Sequence, residues 1–287
     1  REALESLGIQ IGLGVEETAL AILTIVNQRM AGRTRLLSVE QGHDPRDFAL
    51  VAFGGAGPLH ANALGRLMGS WPVIIPPAPG VLCAYGDATT RLRDEASRTF
   101  IRRVDETSDA DVLAMLEALA ETAGKSLVAA GVPTAKQEIL FQIDLRYRGQ
   151  GMHLTVVVNR WQFLDGGLKE VTRLFDDKHA QMFTFTLDAP HELVNLRCVA
   201  QGPEPTVRAE SLPHGSKDPR VALVGETTLH VDGRDWTAKV FDRGRLAVGN
   251  QVAGPAVVMQ MDATTLILPG HYGEIDGVGN ILIRPVL

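Results

Sequence analysis

Cysteine is almost missing from this sequence, which has only Cys83 and Cys198 among its 287 residues. Neither has a partner at the Cys-x-x-Cys spacing, and no second pair is present to build a disulfide framework. The sequence therefore gives no basis for a secreted domain held together by disulfides or for a site built from two thiols. We expect a reducing, cytoplasmic setting.

Long apolar runs and an excess of basic charge are also missing. The longest uninterrupted apolar run covers residues 48–53, far short of the roughly 20 residues that span a bilayer. The net charge is −6, and acidic Asp94 and Glu95 interrupt the one arginine-rich stretch, which we interpret as a solvated strand edge. We therefore expect neither membrane nor nucleic-acid partners.

The familiar metal and nucleophile motifs are not found. No pair of histidines has the His-x-x-x-His or His-Glu-x-x-His spacing, and no Gly-x-Ser-x-Gly elbow occurs. The histidines considered are His179, His191, His214, His230 and His271. We predict no metal site in this chain.

Hydrophobic residues make up 45% of the chain, and its length leaves room for two compact units. Apolar spacing predicts helices over residues 15–30, 59–68, 80–92, 109–130 and 162–182, and strands over 48–53, 73–75, 97–104, 139–148, 153–159 and 192–201. Short glycine-broken strands follow residue 220. We predict domains at 1–104, 105–202 and 220–287, with a linker at 203–219.

The most informative stretch is residues 50–61, where an apolar strand runs into the turn Gly54, Gly55, Ala56 and Gly57 before a helix. Glycine leaves no Cβ between the backbone and a ligand, so the N–H groups of such a turn can form a binding surface. The pattern matches neither the dinucleotide fingerprint nor the phosphate loop. A turn needed only for close packing of helix on strand is the alternative.

The surrounding motifs carry a resemblance that spans essentially the whole chain. They include Glu-Gln-Gly-His-Asp-Pro at 40–45, Phe-Gly-Gly-Ala-Gly-Pro-Leu-His at 53–60, Pro-Pro-Ala-Pro-Gly at 76–80 and Arg-Tyr-Arg-Gly-Gln at 146–150. In this order they closely resemble the hydantoinase A / 5-oxoprolinase family, which also supplies β-type subunits of acetone and acetophenone carboxylases. The sequence resembles the C-terminal part of such a subunit, since the family's Asp-x-Gly-Gly-Thr phosphate loop does not occur in it.

The resemblance implies an α/β fold: part of an actin/hexokinase-like (ASKHA) ATPase lobe, then an α+β region and a small C-terminal all-β module. It also implies that the turn at Gly54, Gly55, Ala56 and Gly57 lies against the adenosine of ATP, with Mg²⁺ as a second cofactor. The family's catalytic metal lies in the partner subunit. We therefore expect a hydantoinase B-like subunit and the N-terminal remainder of the same subunit as partners.

The implied reaction is ATP-dependent phosphorylation of the carbonyl oxygen of a cyclic amide, such as a hydantoin, 5-oxoproline or a lactam, followed by hydrolysis in the partner subunit. Two alternatives stay open. One is a ketone carboxylase that uses the same activation, and the other is an assembly module without turnover. The isolated chain is expected to be inactive, since the phosphate loop is not part of it.

Five further residues are candidates for contacts with substrate or phosphate: His60, Asp87, Arg146, Arg148 and Gln150. Each has a plainer alternative. For His60 it is a helix-face histidine hydrogen-bonded to the backbone, for Asp87 a helix N-terminal acid, and for the residues around Gly149 a turn with a salt bridge. Where relatives commonly have Glu and His, this chain has His153 and Asp176.

Overall fold

The computed structural model describes residues 1–205 and 212–286. They divide into two compact units. The first unit holds residues 1–88 together with the described residues from 212 onward, and the second holds residues 89–205. The chain therefore leaves the first unit and returns to it.

The helices of the first unit are α1 (Glu2–Ile11), α2 (Val15–Glu40), α3 (Gly57–Met68) and α4 (Leu82–Thr89). Helix α1 ends at Gly12, which adopts the left-handed conformation. The N–H of Gly14 donates to the Glu17 carboxylate at 2.9 Å and begins α2. Helix α2 runs beyond its predicted end at residue 30, and Arg35 in this extension donates to the Leu67 carbonyl at 3.0 Å.

A five-stranded sheet organises the first unit. It contains β1 (Leu50–Val51), β2 (Val73–Ile75), β9 (Gln251–Ala253), β12 (His271–Ile275) and β13 (Ile281–Pro285), in the order β1-β2-β13-β12-β9. Strands β1 and β2 are parallel, and β13 is antiparallel to β2. The C-terminal strands thus complete the sheet that begins beside the glycine turn.

A second sheet of the first unit has the order β11-β10-β8-β7. Its strands are β7 (Leu223–Val231), β8 (Arg234–Asp242), β10 (Ala256–Met259) and β11 (Thr264–Ile267). Buried Asn62 of α3 accepts the N–H of Leu268, just after β11, at 2.7 Å. Residues of both sheets share one core with the buried face of α3, including Ala61, Ile75, Phe241, Val258 and Ile283.

The second unit is an antiparallel sheet with order β3-β6-β4-β5. Its elements are β3 (Arg93–Arg103), α5 (Asp109–Ala129), β4 (Glu138–Tyr147), β5 (Leu154–Asn159), α6 (Arg160–Phe183) and β6 (His191–Gln201). Alternate residues of β4 are buried in one core with residues of α5 and α6, among them Phe141, Leu145, Phe163 and Phe175.

The structure divides the chain differently from the predicted domains. Strand β3 pairs with β6, which places it in the second unit and not before a boundary at residue 104. Of the strands after residue 220, β13 pairs with β2, and β12 and β9 continue the same sheet, so the C-terminal strands are not a separate module. Part of the predicted linker, residues 206–211, lies outside the described residues. The predicted strand over 48–53 shortens to Leu50–Val51.

Within the described ranges, no single helix is both long and apolar enough to cross a membrane. The pair α1 and α2, bent by 86° at their junction, meets the length and composition limits only when the two are taken together.

Candidate functional site

The glycine turn, residues 54–57, joins β1 to α3 in the first unit. Gly54 has a φ of 84°, a conformation that disfavours residues with a Cβ, and its N–H donates to the Pro79 carbonyl at 2.7 Å. Gly55 and Ala56 are exposed. The turn therefore presents bare backbone at the surface, as the sequence predicts.

Helix α3 begins at this turn without a side-chain cap. Ala56 is the N-cap, Pro58 lies in the first turn, and the first turn contains no acidic residue. The first N–H groups of a helix have no intrahelical acceptor, and the helix dipole adds partial positive charge at that end. An anionic or polar ligand fits this end of α3 better than a cation does.

A turn from the C-terminal third of the chain lies against the glycine turn. This β10–β11 turn, residues 260–263, is closed by a hydrogen bond from the N–H of Gln260 to the Ala263 carbonyl at 3.1 Å. A Cβ added to Gly55 would lie 3.6 Å from the Asp262 carbonyl oxygen. The β10–β11 turn therefore forms a second wall beside the glycine turn.

Asp262 connects that wall to the turn Pro79–Val81. The N–H of Gly80 donates to Asp262 Oδ2 at 2.7 Å, and a Cβ on Gly80 would come within 2.6 Å of the Asp262 carbonyl oxygen. Burial acts to raise the pKa of Asp262, but hydrogen bonds from Gln260 and Gly80 and the charge of Arg243 outweigh it, so the pKa lies below its usual value. Asp262 is therefore ionised at neutral pH and holds the turn Pro79–Val81 through its hydrogen bond from Gly80.

The side chain of His60 contacts α2 through one ring nitrogen. Its Nδ1 lies 2.8 Å from Asn27 Oδ1, and a carbonyl oxygen can only accept, so Nδ1 carries the proton. His60 is partly buried between α2 and α3. The structure thus favours the plainer alternative, with a side chain rather than the backbone as the partner.

Asp87 lies in a different place from the one predicted. Helix α4 begins at Leu82 and ends at Thr89, so Asp87 is exposed in its last turn and not at its N-terminus. A carboxylate there gains nothing from the helix dipole. The expectation of a helix N-terminal acid is wrong because Pro79 and Gly80 form a separate turn before the helix begins.

Arg146, Arg148 and Gln150 lie in the second unit, at and after the end of β4. Arg146 Nε donates to Glu192 Oε2 at 2.6 Å across the strand pair β4–β6, so its guanidinium is in a salt bridge between strands and not in one within the turn. The N–H of Gln150 closes the turn onto the Tyr147 carbonyl at 3.0 Å. Arg148 is exposed, and its N–H donates to the Pro190 carbonyl at 2.8 Å.

The structure reveals a polar cluster behind this turn that sequence reasoning missed. Tyr147 donates its hydroxyl to Asp176 Oδ1 at 2.5 Å, and His191 Nε2 lies 2.8 Å from the same oxygen. His179 is fully buried, with Nδ1 2.8 Å from the Phe185 carbonyl and Nε2 3.1 Å from Gln150 Nε2. Gln150 is therefore a hydrogen-bonding partner of His179, and its predicted contact with substrate or phosphate stays a prediction.

Burial, reinforced by the hydrogen bond to Asp176, raises the pKa of Tyr147 to about 12. Its ring also contacts Phe175 edge-on, with centroids 5.0 Å apart. The only sequence signal for this cluster was the unusual Asp at 176. The cluster acts as a satisfied buried network that fixes the end of β4 against α6.

The sequence candidates fall into two groups. The glycine turn, His60 and Asp87 belong to the first unit, whereas the three residues around Gly149 belong to the second. In residues 1–205 and 212–286, no group of three or more His, Cys, Asp or Glu side chains is arranged to hold a metal ion. What the first unit offers is backbone N–H groups beside an ionised, hydrogen-bonded Asp262.

Comparison with known proteins identifies the fold of the chain. A nucleotide-free acetone carboxylase structure covers 99% of the chain and 42% of its own, with a TM-score of 0.70 at 20% identity, which shows the fold alone. The expected α/β, ASKHA-like fold class is confirmed.

The chain belongs to the hydantoinase/oxoprolinase family. The hydantoinase/oxoprolinase model matches residues 1–96, and the model of the hydantoinase/oxoprolinase C-terminal domain matches residues 103–277. The resemblance carried by the sequence motifs is therefore confirmed.

Two relatives illustrate the range of this family. Caprolactamase subunit alpha from Pseudomonas jessenii is 30% identical over 96% of this chain, and the crystal structure of that ATP-dependent enzyme matches with a TM-score of 0.83 at 27% identity, covering 99% of this chain and 42% of its own. 5-Oxoprolinase 1 from Arabidopsis thaliana is 25% identical over 99% of the chain. The chain spans 40% of the length of the first relative and 23% of the second.

Proposed function

We propose that this chain is the C-terminal part of a subunit that uses ATP to activate a cyclic amide, such as a hydantoin, 5-oxoproline or a lactam, for hydrolysis. The observation that carries the proposal is the exposed glycine turn at an uncapped helix start. Membership of a family whose relatives include ATP-dependent caprolactamase and 5-oxoprolinase supports it.

The residues of the first unit fit a nucleotide. Gly55 and Ala56 leave open backbone, Gly54 adopts a conformation that suits glycine, and the N–H groups at the start of α3 suit polar or anionic groups. When bound, ATP would supply the phosphoryl group that turns the amide carbonyl into a better electrophile. The chain's own part in this is to hold the adenosine side of the nucleotide.

Mg²⁺ does not fit this chain in the same way. Its preferred ligands are carboxylates and other oxygens, and the described residues contain no group of three or more His, Cys, Asp or Glu side chains placed to hold a metal ion. We keep Mg²⁺ as a cofactor that the family resemblance implies, and we derive no step of the reaction through it.

A second subunit is part of the proposal. Relatives named caprolactamase subunit alpha and acetone carboxylase beta subunit belong to multi-subunit enzymes. We propose a hydantoinase B-like partner that hydrolyses the activated amide, and we place the enzyme in the cytoplasm. Ketone carboxylation and a purely structural role are the outcomes that the experiment must separate.

The experiment measures ADP release by the full-length subunit with its partner, in the presence of ATP, Mg²⁺ and one substrate at a time. The panel is hydantoin, 5-oxoproline, caprolactam, and acetone with bicarbonate. The test variant is Gly55→Val, because Gly55 has no positive φ and an added Cβ meets nothing closer than 3.6 Å, so the backbone there accepts a residue with a Cβ. Gly32→Ala, on an exposed part of α2, is the matched control.

We expect amide-stimulated ADP release that falls about tenfold or more in Gly55→Val, equivalent to losing one good contact to the nucleotide, and stays unchanged in Gly32→Ala. Stimulation by acetone with bicarbonate alone would identify a carboxylase. No stimulation by any member of the panel, with Gly55→Val equal to wild type, would leave an assembly module and overturn the proposal.

A further inference from the structure

Arg243 follows β8 in the short helical turn Arg243–Arg245 and joins three separate segments of the first unit. One terminal nitrogen donates to Gln260 Oε1 at 3.0 Å. The other donates to the Ile75 carbonyl at 3.0 Å and to the Gly279 carbonyl at 2.8 Å. A single guanidinium thus holds the end of β2, the loop before β13 and the β10–β11 turn.

Burial of the positively charged Arg243 guanidinium at this junction is energetically unfavourable. Burial lowers the pKa of Arg243 to about 10, against the opposing effect of the Asp262 and Asp276 carboxylates. The three acceptors named above are neutral oxygens, which compensate a buried cation less well than a contacting carboxylate does. A fork of five donors with fixed geometry is what this junction gains from arginine, since lysine cannot span the same acceptors.

A chain of hydrogen bonds leads from Arg243 to the glycine turn. Gln260, held by Arg243, donates through Nε2 to Asp262 Oδ1 at 2.6 Å. Asp262 Oδ2 accepts the N–H of Gly80 at 2.7 Å. The neighbouring Pro79 carbonyl accepts the N–H of Gly54 at 2.7 Å. Every step joins residues of the first unit.

We propose that Arg243 is a positioning residue for nucleotide binding, which acts through Gln260 and Asp262 to hold the glycine turn in its binding conformation. The inference rests on the proposed function, because it assigns the glycine turn to the nucleotide. It adds a specific requirement: Arg243, in the C-terminal third of the chain, affects the affinity for ATP although it does not itself contact the nucleotide.

Two features separate this role from simple support of the fold. The bonds of Arg243 to Ile75 and Gly279 hold sheet segments, whereas its bond to Gln260 holds the β10–β11 turn. Gln260→Leu therefore cuts the connection to Asp262 and leaves the sheet contacts of Arg243 intact. Arg243→Lys keeps the charge and loses the fork.

A matched control lies two residues away. Arg245 belongs to the same helical turn, is exposed, and has an ion pair with Asp242 at 3.4 Å. Arg245→Gln removes one positive charge from the same element without touching Gln260. It reports what loss of local charge alone does to ATP binding.

The experiment uses the full-length subunit with its partner and reads three quantities: the KM for ATP with the kcat of substrate-stimulated turnover, the melting temperature, and amide hydrogen exchange at Gly54 and Gly80 without nucleotide. In Gln260→Leu and Arg243→Lys we expect the KM for ATP to rise about tenfold, as for a lost charge-assisted hydrogen bond, with kcat within about twofold. Exchange at Gly54 and Gly80 should accelerate about tenfold or more in both variants.

In Arg245→Gln all three quantities should match wild type. An unchanged KM for ATP and unchanged exchange in Gln260→Leu would overturn the inference, even if Arg243→Lys melts at a lower temperature. If Gly55→Val weakens ATP binding and Gln260→Leu does not, the proposed function stands and the positioning role fails. If Gly55→Val has no effect either, the nucleotide assignment of the turn fails, and the inference fails with it.

Discussion

Gly65 of α3 faces β2 so closely that the smallest side chain is excluded. A Cβ added there would overlap the Val73 Cγ2 methyl group and lie 3.0 Å from the Trp71 ring. Val73 is completely buried and β-branched, so its methyl group has little freedom to move. We therefore predict that Gly65→Ala destabilises the first unit.

Two opposing effects set the magnitude. Replacing glycine by alanine inside a helix stabilises by about 1 kcal/mol through backbone entropy. Forcing an extra methyl group into a packed core costs about 1–3 kcal/mol, and the rigid Val73 and Trp71 place Gly65 in the upper part of that range. The net expectation is a loss of about 1–2 kcal/mol in the free energy of unfolding.

The assay is urea unfolding of the chain, followed by circular dichroism and tryptophan fluorescence, with Gly32→Ala as the reference. A Cβ on Gly32 meets nothing within 4 Å, so the same replacement in exposed α2 should stabilise by about 0.5–1 kcal/mol. The two variants should therefore shift the midpoint in opposite directions. Equal stabilisation by both would refute the close packing of α3 on β2, and with it the way that the glycine turn is anchored.

Two further predictions concern titrating groups, namely Cys83 of the first unit and Cys198 and Tyr147 of the second. Burial raises the pKa of the Cys198 thiol to about 12, whereas Cys83 is exposed. Iodoacetamide should therefore label the native chain once, at Cys83, and the unfolded chain twice. Intact-mass measurement counts the labels. The pKa of Tyr147 is about 12 in the fold against an ordinary value of 10.0, so its protonated form contributes stability below pH 10 that is lost as the pH rises through 12. Unfolding free energy measured between pH 9 and pH 12 should fall in wild type and fall less in Tyr147→Phe; equal slopes would contradict the assignment.

Local pattern predicted the elements well because local chemistry fixes them. Helix α5 and strand β2 follow their predicted ranges almost to the residue, since apolar periodicity and flanking Pro or Gly set both ends. The failures are non-local. Nothing in the apolar pattern of β13 says that its partner is β2, about 200 residues earlier in the chain, because strand pairing depends on the whole fold.

The candidate site shows the same limit. Gly54 and Gly55 were predictable because a glycine turn between strand and helix is a local signal. Arg243 and Asp262 were not, because an arginine and an aspartate in a β-rich segment look like surface residues until the fold brings them to Gly80. The Tyr147 cluster could not be predicted for the same reason, because its residues come from β4, α6 and β6.

The pairing of β13 with β2 leads to a final prediction. It distinguishes the observed fold from the separate C-terminal module expected at residues 220–287. If residues 220–287 were an independent module, a chain ending at residue 205 would keep the glycine turn folded. In the structure, that truncation leaves β2 without its partner β13 and removes the cover from Val73 and Ile75, which are both fully buried.

Exposing those two side chains alone costs about 3–6 kcal/mol, a large part of the roughly 5–15 kcal/mol that stabilises a domain. The truncated chain should therefore lose protection from amide exchange at Ala61 and Ile75, while Phe141 and Phe175 of the second unit stay protected, because the second unit closes its own sheet by residue 201. Native protection at Ile75 in the truncated chain would mean that the C-terminal strands are dispensable to the glycine turn, and the positioning role of Arg243 would lose its structural basis.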